Sequence, residues 1–521
     1  MKLGLTVCQM NKPRSWWPKL RRSIEAMSDE FTFAGRDVAT EEWDRLVARD
    51  RNELAVAEPD REIAVGDLIY KARMRAGQFV DQGVVPGDRV IVARPNVIEF
   101  VVDYLAVRLC GAILVNQPWR AGNNIVQLAE ILEARLVVLT EDLVGDNPIF
   151  DNLGPKRFKA DKLAAIGPER PEPKDASELA WLACTSGTTG APKAAMHTGA
   201  TWERQTRVFA EHFGLTREDP IFVCSPVGHA IAVLFGVRFS LLLNSPMILI
   251  PRWNADTAAN LIGKYGCTFA AGPTPFVHDL VEYAELNGPE KLNTLKFFPS
   301  GGAPVPRPLV KRGYEALPNC QVWSYFGTSE AGACTAIPLD SELDIRLMTD
   351  GIALPETTTR VIDGELQIYS PYQMMKGYWA GDPKKRLHAD GWYQTGDACK
   401  QLDNNYIQMA GRAEDIILRG GENISPLEIE NSLLTIDGVH DIAIIGYPDD
   451  RLGSRISAVV VETSPVSLEE LRDRCEKVGL DKAKWPEYKV TIDKIPLSNV
   501  GKVMRYDLED YVVERRKSEG L

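Results

Sequence analysis

Little in this 521-residue chain ties it to nucleic acid, a membrane or an oxidising compartment. Asp and Glu outnumber Lys and Arg by 72 to 60, a formal net charge of −12. A binder of phosphate backbones carries the opposite excess, so nucleic acid is not an expected partner. The nine cysteines, at positions 8, 110, 184, 224, 267, 320, 334, 399 and 475, form no Cys-x-x-Cys pair, and their scatter predicts buried reduced thiols rather than disulfides or a zinc site. The opening MKLGLTVCQMNKPRSWWPK lacks the apolar core of a secretory leader, and the apolar run from Phe239 to Ile250 is broken by Asn244, Ser245 and Pro246. No membrane span and a cytoplasmic location are therefore expected. The final KSEGL is not a peroxisomal signal. Repeats and low-complexity stretches are missing, as are Gly-x-Gly-x-x-Gly, Gly-x-Ser-x-Gly and a Gly-Lys followed by Ser or Thr, which argues against a dinucleotide fold, a serine hydrolase and a P-loop NTPase.

What is present is an ordinary globular composition, 45% hydrophobic and 25% charged, long enough for several cores. From Asp88 to Thr140, apolar runs (RVIVA, AILVN, RLVVLT) alternate with helix-length segments, the pattern of parallel strands covered on both faces. It returns between Trp181 and Thr328 as AWLACTS, IFVCSP, PMILIP, FAAG, LKFFPSGG and VWSYFGT. Such sheets gather ligands at the carboxyl ends of their strands. TTRVI and ELQIYS flank Asp363-Gly364, a two-residue hairpin signal that predicts a small antiparallel subdomain. After Gly411-Arg412 a fresh α+β unit begins; Ser425-Pro426-Leu427-Glu428 predicts its first helix through a capping box with Pro at the first helical position. The expected class is α/β: residues 1–413 hold two doubly wound parallel-sheet subdomains and a small antiparallel β subdomain, and residues 414–521 form a mobile α+β domain.

Directly after a predicted strand stands Thr185-Ser186-Gly187-Thr188-Thr189-Gly190-Ala191-Pro192-Lys193. Glycines allow close backbone approach, hydroxyls donate and the lysine adds charge, a composition suited to wrapping phosphate oxygens. This segment resembles the signature of the adenylate-forming superfamily, which includes acyl-CoA synthetases. Four further elements follow in order: Tyr325-Phe326-Gly327-Thr328-Ser329-Glu330, Gly391-Trp392-Tyr393-Gln394-Thr395-Gly396-Asp397, Gly411-Arg412-Ala413-Glu414-Asp415 with GGENISPLEIE, and the Pro496 to Val503 loop carrying Gly501-Lys502. The resemblance spans 181–508. The first 180 residues share its α/β character without a sharp motif.

The resemblance implies ATP, Mg2+ and coenzyme A as ligands and a first step in which a carboxylate attacks the α-phosphate. Two anions meet there, so charge must be neutralised where it develops. Lys502, on a Gly-hinged loop, is the implied cation, and Glu330 the implied Mg2+ ligand, since a hard cation takes carboxylate oxygens. Thr185, Ser186, Gly187, Thr188, Thr189, Gly190 and Lys193 would hold the phosphates. Asp397, joined by Arg412, would take the ribose hydroxyls. Gly302, Ala303, Pro304 and Tyr325 would wall the adenine, with Phe326, Gly327 and Thr328 completing the nucleotide site. Glu414 falls at the hinge position, where an Asp or Lys is usual. Domain alternation is implied: one pose brings Lys502 in, and the other presents Gly420, Gly421 and Glu422 to the thiol of coenzyme A.

Ser225 to Ala230 resembles the acyl-pocket segment, which makes His229 either a gate over the substrate carboxylate or a packing residue. Val233, Gly301, Phe326 and Ala333 are its small or apolar companions. No Asp lies between Cys224 and Gly236 to receive an ammonium group, which argues against amino acids and for an aromatic or medium-length aliphatic acid. GGENI and the 448–453 loop resemble coenzyme A ligases. The function implied is an acid–thiol ligase forming acyl-AMP and then acyl-CoA. The alternatives are transfer to a carrier protein or to an amine or oxygen nucleophile and, more remotely, a nucleotide-binding protein without catalysis. The expected partners are the small carboxylate and coenzyme A, with a homodimer left open.

Overall fold

The computed structural model describes residues 38–119, 122–140, 148–158, 166–172, 175, 177–185, 193–303, 305–381, 386–449, 451–497 and 503–520. Strand Arg89–Ala93 shows why its β-branched run had to be a covered parallel strand: Val90, Ile91, Val92 and Ala93 are all fully buried. It lies in a five-stranded sheet ordered Leu136–Leu139, Arg89–Ala93, Ile113–Asn116, Leu179–Thr185, Lys193–Thr198, parallel except for the last strand, which returns antiparallel. A second sheet has seven strands in the order Gln321–Ser324, Phe297–Ser300, Phe269–Ala270, Ile221–Val223, Met247–Leu249, Leu54–Ala57, Glu62–Ala64. Its five strands from Ile221 to Ser324 are expected ones, and Leu54–Ala57 joins them parallel to Met247–Leu249, while the expected strand at 181–185 belongs to the first sheet. The antiparallel hairpin Leu54–Ala57 with Glu62–Ala64 at one edge is an addition that four- and three-residue strands do not announce in sequence.

The third layer is antiparallel: Thr358–Ile362, Glu365–Tyr369, Tyr393–Gln401 and Ile407–Arg412. Asp363 (φ 51°) and Gly364 (φ 78°) make its first turn, both in the left-handed region that the Asp-Gly pair favours. One apolar cluster joins all three sheets, with Trp181, Trp202, Phe209, Phe235, Trp323, Tyr325 and Tyr393 among its members. Inside it sits Arg238, 1% exposed, bonded to Glu42 (2.8 Å), Glu203 (2.5 Å) and the Tyr104 hydroxyl (3.0 Å) and lying over the Trp202 ring. Removing one partner from such a buried set leaves an uncompensated charge, at a cost of about 3–5 kcal/mol.

Strand Ile407–Arg412 runs through the short 3-10 turn Ala413–Asp415 into residues with apolar clusters of their own, drawn wholly from Ile417 onward. Helix Pro426–Leu433 starts where predicted: the Ser425 hydroxyl accepts from the Glu428 N–H at 3.3 Å, and Pro426 is first in the helix. The Glu428 carboxylate goes to Lys484 Nζ instead (2.8 and 2.9 Å), and the Ser425 hydroxyl donates to the Ala410 carbonyl at 2.7 Å, linking helix and sheet. All eight described cysteines carry free thiols, seven of them buried. Among the described residues no helix is long and apolar enough to cross a membrane.

Candidate active site

The phosphate-loop candidates Ser186, Gly187, Thr188, Thr189 and Gly190 lie outside the described residues, as do Pro304 and Lys502. What surrounds that loop is described. Thr185 ends one strand and pairs with Lys193, which begins the next, so the two arms of the loop stand side by side. Segment 376–379 adds itself to strand Lys193–Thr198: Met196 N–H donates to the Gly377 carbonyl (2.8 Å), Lys376 N–H to Met196 (2.8 Å) and Trp379 N–H to Ala194 (2.9 Å). The addition places the Tyr378 ring beneath Lys193, whose Nζ is 5.2 Å from the ring centroid.

Tyr378 is also the residue that orients Glu330. Its hydroxyl donates to Glu330 Oε1 at 2.5 Å and meets the Tyr393 hydroxyl at 3.1 Å, while Arg386 bonds Tyr393 in turn. Glu330 is 8% exposed and follows a tight turn in which the Thr328 hydroxyl accepts from the N–H groups of Glu330 (3.2 Å) and Ala331 (3.1 Å). Burial pushes the Tyr378 hydroxyl well above its ordinary range, with the Glu330 charge adding to the shift, so it remains a proton donor at any working pH. On the other side His197, stacked on Trp181 at 4.9 Å, bonds the Ser329 carbonyl through Nε2 (2.8 Å) and Gln205 through Nδ1 (3.3 Å). Burial lowers its pKa to about 4, which keeps it neutral. Tyr378, Tyr393, Arg386 and His197 were not among the sequence candidates.

Asp397 and Arg412 face each other across adjacent strands, with Arg412 Nε 3.3 Å from Asp397 Oδ1. Burial raises the Cys334 thiol, and the charges of both Glu330 and Asp397 raise it further. Gly327 is required here, because a Cβ would stand 2.7 Å from the Gly332 carbonyl. Phe326 is 9% exposed, with Ala333 fully buried behind it.

Gly301 and Tyr325 are a fitted pair: a Cβ on Gly301 would come within 2.6 Å of the Tyr325 ring. That ring is 4% exposed and lies 5.0 Å from Phe209 and 6.0 Å from Phe235, against the apolar core. Gly302 has φ +78° and faces Ile231, and Ala303 is half-buried. His229 is half-buried at the start of helix Ala230–Ala232, and Val233 opens the π-turn Val233–Val237, a widened turn of a kind that recurs at functional sites. Gly236 fits there because a Cβ would meet Val223 at 2.9 Å.

In the C-terminal unit Gly420 (φ 59°) and Gly421 (φ 89°) form the two-residue turn between strands Ile417–Arg419 and Glu422–Ile424. Positive φ at both positions of such a turn favours Gly, Asn or Asp at the first and Gly at the second, so the turn by itself accounts for the pair. Glu422 is exposed at the start of the second strand. Glu414 lies in the 3-10 turn at the junction, and its neighbour Asp415 pairs with Arg505 at 3.3 Å, tying the junction to the helix that follows the Lys502 loop.

Glu330, a buried carboxylate already oriented through one oxygen, fits a hard oxygen-ligated cation such as Mg2+. The AMP-binding enzyme description matches residues 43–379, and the AMP-binding enzyme C-terminal domain description matches 428–502. A medium-chain fatty-acid–CoA ligase of Escherichia coli (strain K12) is 30% identical over 86% of this chain and 85% of its own length. A salicylyl-CoA synthase / salicylate adenylyltransferase of a Streptomyces species is 26% identical over 95% and 97%. The crystal structure of ATP-bound MatB from Rhodopseudomonas palustris superposes with a TM-score of 0.81 at 24% identity, covering 91% of this chain and 99% of that one.

Proposed function

Since the chain belongs to the AMP-binding enzyme family and is an adenylate-forming enzyme of the acyl-CoA synthetase type, we propose that it activates an aromatic or medium-chain carboxylic acid and passes the acyl group to coenzyme A. The observation that carries this reading is the pair of contact sets at the motif residues, Lys193 over the Tyr378 ring whose hydroxyl holds Glu330, and Asp397 facing Arg412 across adjacent strands. A carboxylate oxygen of the acid attacks the α-phosphorus of ATP, the bond to the pyrophosphate oxygen breaks, and acyl-AMP remains. The thiol sulfur of coenzyme A then attacks the acyl carbon, AMP leaves on its own oxygen, and the thiol proton passes to solvent.

In this reading Glu330 holds Mg2+, which supplies charge neutralisation at the phosphates when bound. Lys193 and the loop before it bind phosphate oxygens. Asp397 accepts the ribose hydroxyls, held in place by Arg412. Lys502 stabilises the transferring phosphate, and rotation about Glu414, at a boundary between 413 and 414, withdraws it before thiolysis. His229, Val233, Gly301, Phe326 and Ala333 line the acyl pocket. The deep burial of Tyr325 favours the floor of that pocket over the adenine wall for this residue. A cytoplasmic location fits the chemistry.

Mass spectrometry of reactions with Mg-ATP, coenzyme A and a panel of aryl and aliphatic acids tests the reading. An acyl-CoA product is expected. Acyl-AMP accumulating beside untouched coenzyme A would instead favour an amine, oxygen or carrier-protein acceptor, a reading that the turn geometry of Gly420-Gly421 keeps in play because it accounts for both glycines without a thiol substrate.

A further inference from the structure

Away from the nucleotide site, the helix Thr274–Asn287 meets the C-terminal unit at a cluster with no part in the chemistry described above. His278, Asp279 and Glu282 occupy positions i, i+1 and i+4 of this helix, so Glu282 lies one turn from both other residues. Their ligand atoms all lie within 4.8 Å of one another. His440, the second residue of strand Val439–Asp449 of the C-terminal unit, stands next to this group of three and brings its ring to 5.7 Å from that of His278, edge to face. We propose that His278, Asp279 and Glu282 of the large unit and His440 of the C-terminal unit form a site for a divalent transition-metal ion of the zinc type, which clips the two units together.

The ligand chemistry matches. Two imidazoles and two carboxylates suit zinc, whose bonds of about 2.0–2.2 Å at tetrahedral angles separate neighbouring ligand atoms by about 3.3 Å. His278 Nδ1 and Asp279 Oδ1 already stand 3.6 Å apart. Asp279 is held by an outer partner of the kind that orients metal ligands: Trp253 Nε1 donates to its Oδ2 at 2.6 Å. The half-buried Asp441 is the next residue after His440. In an enzyme whose cycle needs the C-terminal unit to rotate, a consequence that rests on the proposed function, such a clip makes zinc an inhibitor that acts away from the active site.

The binding claim is tested without any reaction. Tag-free, chelator-stripped full-length protein is titrated with Co2+ alone, followed by its visible d–d absorption, and with Zn2+ in competition, for wild type, His278→Ala, His440→Ala and Trp253→Phe. One tetrahedral-type site in the wild type is expected, weakened at least ~10-fold by either histidine change and by about 10-fold in Trp253→Phe, which keeps the ring and loses the donor. Zn2+ is expected to slow tryptic cleavage after Arg412 in wild type and not in His440→Ala. No site in the wild type overturns the proposal. Undiminished binding by His440→Ala overturns the bridging of the two units. Circular dichroism spectra matching wild type ensure that lost binding reports the ligand and not the fold.

Discussion

Around Glu330 the hydrogen bonds join segments far apart in the chain: Tyr378 reaches its carboxylate, and His197 takes the carbonyl of the residue before it. Around Gly420 and Gly421 the turn itself is closed by its own two strands, and distant residues only brace it: the Leu452 carbonyl accepts from the Gly420 N–H at 2.8 Å and the Ala483 carbonyl from Arg419 at 2.8 Å. The proposed nucleotide side of the site is thus built from long-range packing, and the proposed acceptor side around a short turn that folds for its own reasons. A motif on the first side marks a place but not the partners that make it work. On the second side the motif is complete in itself, and its geometry says less about chemistry.

Lys502→Ala separates the two sides most sharply. Adenylation is expected to fall by ~10²-fold or more, the scale of losing one charge-stabilising group, while thiolysis of a preformed acyl adenylate stays at the wild-type rate; equal losses in both assays would join the two sides. Tyr378→Phe keeps the ring under Lys193 and removes the hydroxyl from Glu330. The Mg2+ needed for half-maximal ATP binding is expected to rise about 10-fold, as for lost outer partners of metal ligands, with metal-free ATP binding unchanged by calorimetry. An unchanged Mg2+ dependence would make Tyr378 a packing residue.

Gly421→Ala probes the acceptor side. A Cβ there meets nothing within 4 Å, so the left-handed φ alone should cost about 1–2 kcal/mol in denaturant unfolding. The KM for coenzyme A should rise with adenylation intact, and an unaltered KM would remove this hairpin from the acceptor site. His229→Ala should shift the preference among acids by several-fold while ATP affinity holds; an unchanged acid profile would return His229 to packing.

The smallest effect is a pH dependence. His197 has a pKa of about 4 in the fold and an ordinary value of 6.5, so between these limits the unfolded chain binds the extra proton. Its contribution to stability is complete above pH 6.5 and is lost as the pH falls toward 4. His212, also lowered to about 4 by burial, acts in the same direction. Melting temperatures measured across this window should decline with acid, and less steeply in His197→Gln. Parallel curves would contradict the assignment.

Much of the fold was legible because the parallel strands are buried on both faces and leave unbroken apolar runs, and because Asp363-Gly364 can make few other turns. The pairing of Asp397 with Arg412 was legible as two motifs but not as a cross-strand contact, which depends on the register of strands Tyr393–Gln401 and Ile407–Arg412. Tyr378 was illegible: nothing local distinguishes it from other aromatics, and its role comes from segment 376–379 joining a distant strand. Tyr325 was read as part of the adenine wall, and its packing against Gly301 and Phe209 depends on a core assembled from three sheets. The histidines at 278 and 440 carry no motif, and only the meeting of the two units sets them side by side.

Acid-dependent exchange of labelled pyrophosphate into ATP, measured with wild-type protein and Mg2+ over the same panel of acids, tests the central claim most directly. The account predicts exchange with at least one aromatic or medium-chain acid and none without acid. A complete lack of exchange with every acid, from protein that still binds ATP, would contradict it and leave a nucleotide-binding protein without adenylation chemistry.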